Sequence, residues 1–251
     1  TENNFRPTTD DYRAAKEKLG GDIMLVKSNP CNPTGVTWEG DKLKEIVEFA
    51  SEKGNGAIFD EAYEMFNKEG PVSSLEYIKD IDKTDIFVIG AATKGLQCPG
   101  MRTGWVISSK KHIEIFRNFS SIAMGGCSRP AQIYVAGLLE IDRVTKARNA
   151  IVKFYNEQRV KYEKGLTAAG IKLFTGDGGF YHWGKLPNGL TADEFNERLF
   201  KHEAAILPGP LCDMHRLGAK GEHNNFIRFS FGPLQPESYN ENIEIIASCL
   251  E

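Results

Sequence analysis

The sequence predicts an α/β domain followed by a smaller α+β domain. Over the first two thirds of the 251 residues, short apolar runs alternate with stretches of helical spacing, which is typical of α/β layers. From Arg143 onward a long charged stretch contains few helix breakers, and after Gly170 short strands dominate. We therefore expect a large domain at 1–145, a connecting helix at 146–170 and a small domain at 171–251.

The large domain contains four apolar runs with the length and composition of buried strands. Helices are expected where apolar residues recur every three to four positions, as at Leu43, Ile46 and Val47. The predicted strands are Ile23–Val26, Ala57–Phe59, Ile86–Ile89 and Gly104–Ile107, and the predicted helices are Thr37–Lys53, Lys110–Asn118 and Pro130–Glu140.

The remaining residues predict the connecting helix and the elements of the small domain. Thr191 precedes acidic residues, a sign of a helix start. The predicted helices are Arg143–Ala169, Thr191–His202 and Pro236–Leu250, and the predicted strands are Lys172–Phe174, Gly179–Trp183, Ala204–Leu207 and Phe226–Phe231.

Composition excludes several classes of function. With 31 Lys and Arg against 34 Asp and Glu, the net charge of −3 predicts no binding to nucleic acid. The apolar runs are too short to span a bilayer, and five scattered cysteines favour a reducing cytoplasm. No glycine-rich nucleotide-binding motif is present. Cys212, His215 and His223 are too loosely spaced to predict a metal site.

Polar residues follow the ends of several predicted strands, where ligands of α/β proteins usually bind. The segment Ser28–Gly35, Ser-Asn-Pro-Cys-Asn-Pro-Thr-Gly, predicts a tight turn. Asp60 ends the second strand and Tyr63 follows it. Lys94 ends the third strand, with Arg102 eight positions later in Pro-Gly-Met-Arg-Thr-Gly. Taken singly, such a carboxylate would most often cap a turn and such a lysine would most often be solvated.

Arg228 interrupts an otherwise apolar strand, which is costly unless the guanidinium pairs with an anion such as a carboxylate. Together with Asn-Pro-x-Asn-Pro-Thr-Gly, Asp-x-x-Tyr and Lys with Arg at the eighth following position, it forms an ordered set. This set resembles the class I/II aminotransferases, pyridoxal 5′-phosphate (PLP) enzymes of fold type I. The resemblance covers nearly the whole chain and implies the C-terminal half of the large mixed-sheet domain plus the small α+β domain.

The resemblance implies a role for each motif residue. Lys94 would form the Schiff base with PLP and move the proton during transfer of the amino group. Asp60 would hold the pyridine nitrogen protonated. Asn32 and Tyr63 would bind the phenolic oxygen of the cofactor.

The phosphate and the substrate have their own expected ligands. Arg102 would pair with the phosphate of PLP, and Arg228, with Asn32 nearby, would bind the substrate α-carboxylate. In many relatives a serine three positions before the lysine also binds the phosphate, but here that position is Ala91. Thr93, directly before the lysine, is expected to replace it in part.

A second departure concerns the segment before the Asn-Pro-Thr-Gly turn. Only 27 residues precede Ser28, whereas the family carries a phosphate-binding helix start and a ring-stacking aromatic residue in this region. We expect that the chain is a fragment. The alternatives are that a partner chain supplies the missing part, or that the gene is truncated and its product inactive.

The expected reaction is ping-pong transfer of an amino group between an α-amino acid and a 2-oxo acid by a homodimer. The apolar segment Gly179–Trp183 favours a neutral, aliphatic substrate, and the stretch Phe154–Arg159 is similar to valine–pyruvate aminotransferases. A PLP-dependent decarboxylase or lyase, and a non-catalytic domain of the same fold, remain alternatives.

Overall fold

The computed structural model describes residues 3–123, 125–215, 217 and 220–251. The chain divides into two compact units. The N-terminal unit comprises Arg6–Cys31 and Thr37–Val152. The C-terminal unit comprises Asn32–Val36, Lys153–Glu251 and a short segment ending at Phe5. The segment Asn32–Val36 thus groups with residues far along the chain instead of with its own neighbours.

All four described strands of the N-terminal unit lie before Lys110, and the unit is mainly helical thereafter. The last of its helices continues past Val152 into the C-terminal unit. The elements are α1 (Thr9–Leu19), β1 (Ile23–Ser28), α2 (Gly40–Ala50), β2 (Asn55–Asp60), β3 (Ile86–Ala91), β4 (Gly104–Ile107), α3 (Lys110–Ala123), α4 (Arg129–Leu138) and α5 (Ile141–Ala168).

One mixed sheet with the order β1-β2-β3-β4 organises this unit. The first three strands are parallel and β4 is antiparallel to β3. Helix α2 buries the face that carries Leu43, Ile46 and Val47, while Phe59 of β2 is fully buried. Because the strands β2 and β3 are parallel, their carboxyl ends Asp60 and Ala91 lie at the same edge of the sheet. The predicted α/β class and mixed sheet are confirmed.

The C-terminal unit contains a second, antiparallel sheet with the order β5-β6-β8-β7. Its apolar core joins Tyr162 of α5 with Phe195 and with Phe229. The elements are β5 (Lys172–Leu173), β6 (Tyr181–Lys185), α6 (Ala192–Phe200), β7 (Leu207–Pro208), β8 (Phe226–Ser230) and α7 (Tyr239–Leu250).

Three expectations about individual elements are corrected. The strand predicted at Ala204–Leu207 is wrong, since only Leu207–Pro208 pairs with β8. Helix α7 begins at Tyr239, because a short 3-10 turn occupies Pro236–Ser238. No helix is predicted at Thr9–Leu19, yet α1 forms there. None of its residues is buried, so its sequence does not need the apolar stripe on which the prediction of a helix depends.

Within the described ranges, no helix combines the length and apolar character that crossing a bilayer requires.

Candidate active site

The edge formed by the ends of β2 and β3 carries three of the polar residues predicted from the sequence, Asp60, Tyr63 and Lys94. The carboxylate of Asp60 accepts a hydrogen bond from the backbone N–H of Ala62 at 3.1 Å, which fixes the side chain at the start of the turn. Lys94 follows the end of β3, and its Nζ lies 5.8 Å from the centroid of the Tyr63 ring. The structure therefore brings Lys94 close to Tyr63, with Asp60 at the end of the adjacent parallel strand.

The turn after β2 is held by a buried carboxylate. Glu61 is 4% exposed and accepts hydrogen bonds at 2.7 Å from the hydroxyl of Ser73 and from both the N–H and the hydroxyl of Ser74. Burial raises the pKa of Glu61, while these three bonds oppose the shift. Because Glu61 lies next to Asp60 and two residues before the buried Tyr63, its anchoring restricts where both side chains point.

Backbone hydrogen bonds shape the turn that carries Lys94. The N–H of Gln97 donates to the carbonyl of Lys94 at 3.0 Å, and the N–H of Cys98 donates to the carbonyl of Ala92 at 3.0 Å. These bonds close the chain into a compact turn directly after β3. Thr93 is half-buried within it.

Arg102 follows this turn, and its guanidinium forms a hydrogen bond within the segment that carries it. Its backbone is left-handed (φ 50°), the residue is exposed, and its Nη1 donates to the carbonyl of Pro99 at 2.9 Å. In the described part of the chain this is the only hydrogen bond of the guanidinium. Ala91, where many relatives have serine, pairs with Gly104 of β4. The predicted phosphate contacts of Thr93 and Arg102 therefore stay predictions.

The C-terminal unit holds the other two predicted site residues together. The Nη1 of Arg228 donates to the amide oxygen of Asn32 at 2.9 Å, although the two residues are 196 positions apart. The guanidinium lies over the ring of Tyr181, with 4.4 Å from Cζ to the ring centroid. Among the described residues no carboxylate pairs with Arg228, and its Nε is buried without a partner. A cation held by neutral groups is suited to binding an anion.

Two backbone hydrogen bonds fix the turn that carries Asn32. The N–H of Gly176 donates to Thr34 at 2.9 Å, and the N–H of Gly178 donates to Gly35 at 2.7 Å. The approach is so close that a Cβ on Gly176 would lie 2.3 Å from the Cα of Val36. Gly35 has φ +69°, a conformation that favours glycine.

Arg159 is a buried cation that was not predicted as part of the site. Its Nη2 donates to the carbonyl of Gly179 at 2.6 Å, and burial lowers its pKa to about 10. The Nε2 of His182 lies 3.1 Å from the carbonyl of Arg159, and its Nδ1 lies 3.0 Å from the hydroxyl of Thr175. Burial lowers the pKa of His182 to about 3, so the ring is neutral at ordinary pH. The Gly-Asp-Gly-Gly run before β6 is the one signal in the sequence for this cluster.

No metal centre emerges at these positions or elsewhere in the described residues: no group of three or more His, Cys, Asp or Glu side chains is arranged to hold an ion.

Comparison with known proteins shows the family of the chain. The sequence model of the family described as aminotransferase class I and II matches residues 1–246. The chain belongs to this family. Members use pyridoxal 5′-phosphate as cofactor.

The relatives are named for several different activities. A probable aspartate/prephenate aminotransferase of Aquifex aeolicus is 28% identical over 247 residues, which cover 90% of this chain and 57% of that protein. The 1-aminocyclopropane-1-carboxylate synthase 4 of Solanum lycopersicum is 31% identical over 192 residues, which cover 72% of this chain and 40% of that protein. The crystal structure of an aromatic aminotransferase from Pyrococcus horikoshii superposes with a TM-score of 0.83 at 25% identity, covering 99% of this chain and 65% of that one. The chain thus spans only part of the length of the proteins it matches.

The N-terminal unit offers groups that match the aldehyde and the pyridine nitrogen of PLP. The amine of Lys94 is a group to which the cofactor aldehyde can attach, and the ring of Tyr63 lies beside it. The carboxylate of Asp60 has one described hydrogen bond, to Ala62, and this leaves acceptor capacity for a protonated pyridine nitrogen. The residues present therefore fit the cofactor that the family uses.

Proposed function

We propose that the protein transfers an amino group between an α-amino acid and a 2-oxo acid with PLP as cofactor. The observation that carries this proposal is the placement of Lys94 and Asp60 at the ends of adjacent parallel strands, with Tyr63 beside the lysine amine. When bound, PLP supplies a ring that accepts the electron pair left behind as the α-proton of the amino acid departs.

The residues of the N-terminal unit hold the cofactor and move the proton. The amine of Lys94 would attach the cofactor aldehyde and, once released, would move the proton between the substrate α-carbon and the cofactor carbon C4′. Asp60 keeps a proton on the pyridine nitrogen through a charge-assisted hydrogen bond. Tyr63 hydrogen-bonds the phenolic oxygen, and Thr93 and Arg102 bind the phosphate.

The residues of the C-terminal unit bind and orient the substrate. Arg228 takes the α-carboxylate and Asn32 holds the guanidinium, a role supported by the hydrogen bond between them and by the absence of a carboxylate partner in the described residues. A fixed carboxylate orients the bond to the α-hydrogen and so favours its removal.

The proposed substrates are neutral, aliphatic amino acids, as in the valine–pyruvate aminotransferases that the Phe154–Arg159 stretch resembles. Support from the Gly179–Trp183 segment is limited, since Tyr181 and Trp183 are buried within the unit. We further propose a cytoplasmic homodimer and keep the domain limits 1–145, 146–170 and 171–251. L-valine and L-alanine should turn over faster than L-aspartate, and the reverse ranking would refute this substrate class.

A lyase is the second candidate, favoured by the 31% identity to a 1-aminocyclopropane-1-carboxylate synthase. Both reactions need removal of the α-proton, so the lysine and the aspartate do not distinguish them. Incubation with L-alanine and then pyruvate separates the two. Amino transfer converts the cofactor reversibly to its amine form, visible as a change in absorbance, whereas a lyase or a decarboxylase leaves the cofactor in its aldehyde form.

The cofactor site is tested by loading with PLP, reduction with borohydride and peptide mass spectrometry. We expect the label on Lys94 and its loss in Lys94→Arg, which keeps a cation but cannot attach the cofactor. Lys44→Arg, an exposed change on α2, is the matched control and should leave labelling intact. Absence of any label on Lys94 in a folded protein would favour the non-catalytic domain.

A further inference from the structure

We propose that Tyr181 is a positioning residue for the carboxylate-binding arginine: its ring holds the Arg228 guanidinium in the plane that receives the substrate carboxylate. The inference deepens the proposed function and rests on it for the identity of the carboxylate. The contact itself lies entirely within the C-terminal unit.

The sheet register places the two side chains together. Strands β6 and β8 are antiparallel, with Trp183 opposite Arg228 and Tyr181 opposite Ser230. Residues on opposite positions share one face of a sheet, so Tyr181 is the diagonal neighbour of Arg228 on that face. The distance of 4.4 Å from Cζ to the Tyr181 centroid is that of a cation–π stack, and Tyr181 is only 4% exposed.

The strand that carries Tyr181 is fixed from its other side. The neighbouring His182 points to the opposite face, where its ring contacts Thr175 at 3.0 Å and the carbonyl of Arg159 at 3.1 Å. Arg159 also donates to Gly179 at 2.6 Å, two residues before Tyr181. These contacts hold the backbone on both sides of Tyr181 and so restrict how far its ring can move away from the guanidinium.

The stack determines which part of the guanidinium stays available. Tyr181 covers one flat face, Asn32 takes one N–H of Nη1, and Nε is buried. What remains is the edge with Nη2 and the second N–H of Nη1, which suits a carboxylate bound through two parallel hydrogen bonds. Because the side chain is already ordered, less rotational freedom is lost when the carboxylate binds.

The test compares Tyr181→Leu, which removes the ring, with Tyr181→Phe, which keeps it. Propionate serves as the probe, titrated into PLP-loaded protein and followed by calorimetry. A cation–π stack of this burial corresponds to a rise of about 5- to 30-fold in the dissociation constant for Tyr181→Leu, and Tyr181→Phe should stay within about 2-fold of the unmodified protein. Phe200→Leu, an aromatic change at an exposed position of α6 in the same unit, is the matched control and should leave the affinity unchanged.

Kinetics give a second readout that a merely structural role would not produce. Tyr181→Leu should raise KM for the amino acid by more than it lowers kcat, because Arg228 still binds and orients the carboxylate but its guanidinium is held less firmly. If Tyr181→Leu does not fold, Tyr181→Met removes the ring with an unbranched, more adaptable side chain and makes the same comparison.

Arg228→Ala distinguishes a failure of the positioning role of Tyr181 from a failure of the carboxylate site itself. If Arg228→Ala abolishes propionate binding and the ring-deleted variant binds normally, the positioning role of Tyr181 is overturned and the proposed function stands. If Arg228→Ala leaves binding unchanged, or the unmodified protein binds no propionate, the carboxylate site itself is wrong. Equal weakening by Tyr181→Phe and Tyr181→Leu would also overturn the role of the ring.

Discussion

Lys27 is a buried lysine whose replacement should stabilise the protein. The side chain is 5% exposed, its Nζ lies 2.9 Å from the centroid of the Trp38 ring, and it donates to the hydroxyl of Tyr12 at 3.0 Å. In the described residues no carboxylate pairs with it. Burial lowers its pKa from 10.5 to about 7, with a smaller opposing effect from Cys31. We therefore predict that Lys27→Met raises the free energy of unfolding.

The magnitude follows from the change in pKa. A drop from 10.5 to about 7 corresponds to about 5 kcal/mol of destabilisation when the amine of Lys27 is protonated in both states. This is an upper limit, because attraction to the Trp38 ring offsets up to about 2 kcal/mol. We expect Lys27→Met to gain about 2 kcal/mol at pH 7.

The pH dependence has a definite sign. The folded pKa lies below the unfolded one, so the unfolded state binds more protons between pH 7 and 10.5 and stability rises with pH in that window. Between pH 7 and pH 9 the contribution of Lys27 should change by roughly 2 kcal/mol. The penalty is complete below pH 7 and disappears above pH 10.5.

Urea unfolding at pH 6, 7, 8 and 9 measures this contribution. The advantage of Lys27→Met over the unmodified protein should shrink steadily from pH 6 to pH 9. The control is Lys44→Met, a change at an exposed lysine of α2 that should give a small difference at every pH. A constant difference across the pH range, or a loss of stability in Lys27→Met, would refute the reasoning.

Three further predictions concern local backbone features. Thr191→Ala should lower the free energy of unfolding by about 1 kcal/mol in urea titrations, because Thr191 and Glu194 form a capping box at the start of α6, and Thr191→Ser should recover most of the loss. Gly176→Ala should lower the free energy of unfolding by about 1–3 kcal/mol and weaken propionate binding, because the new Cβ meets the backbone of Val36 at 2.3 Å. An unchanged midpoint of thermal unfolding would contradict this. Gly137→Ala in α4 should raise the free energy of unfolding by about 0.5–1 kcal/mol, since the added methyl group meets no atom within 4 Å. A loss of stability would show that the helix there is strained.

Much of the secondary structure is readable from local pattern. The four strands of the first sheet follow apolar runs, and α6 begins directly after its predicted cap, Thr191. Helix α1 was not predicted because none of its residues is buried and its sequence shows no clear stripe of apolar residues. The capping box formed by Thr8 and Asp11 was the available signal.

Other features depend on neighbours that are remote in the sequence. Strand β7 ends after two residues because only Leu207 and Pro208 reach β8. Burial of Lys27 results from the positions of Tyr12 and Trp38, which hydrophobic periodicity does not encode. Such residues break the apolar pattern of a strand, and the structure is needed to identify the groups that accommodate them.

For the candidate site, the sequence by itself determined which residues are proposed to carry the chemistry: Lys94, Asp60, Tyr63, Asn32 and Arg228 stand in motifs that resemble those of the family. Only the tertiary structure decided how Asn32 and Arg228, 196 positions apart, meet through a hydrogen bond, and that the ring of Tyr181 lies against the guanidinium. The physical reason is that residue type and spacing record local geometry. Pairing across a sheet and docking of a turn depend on contacts between distant segments, which form only when the whole unit folds.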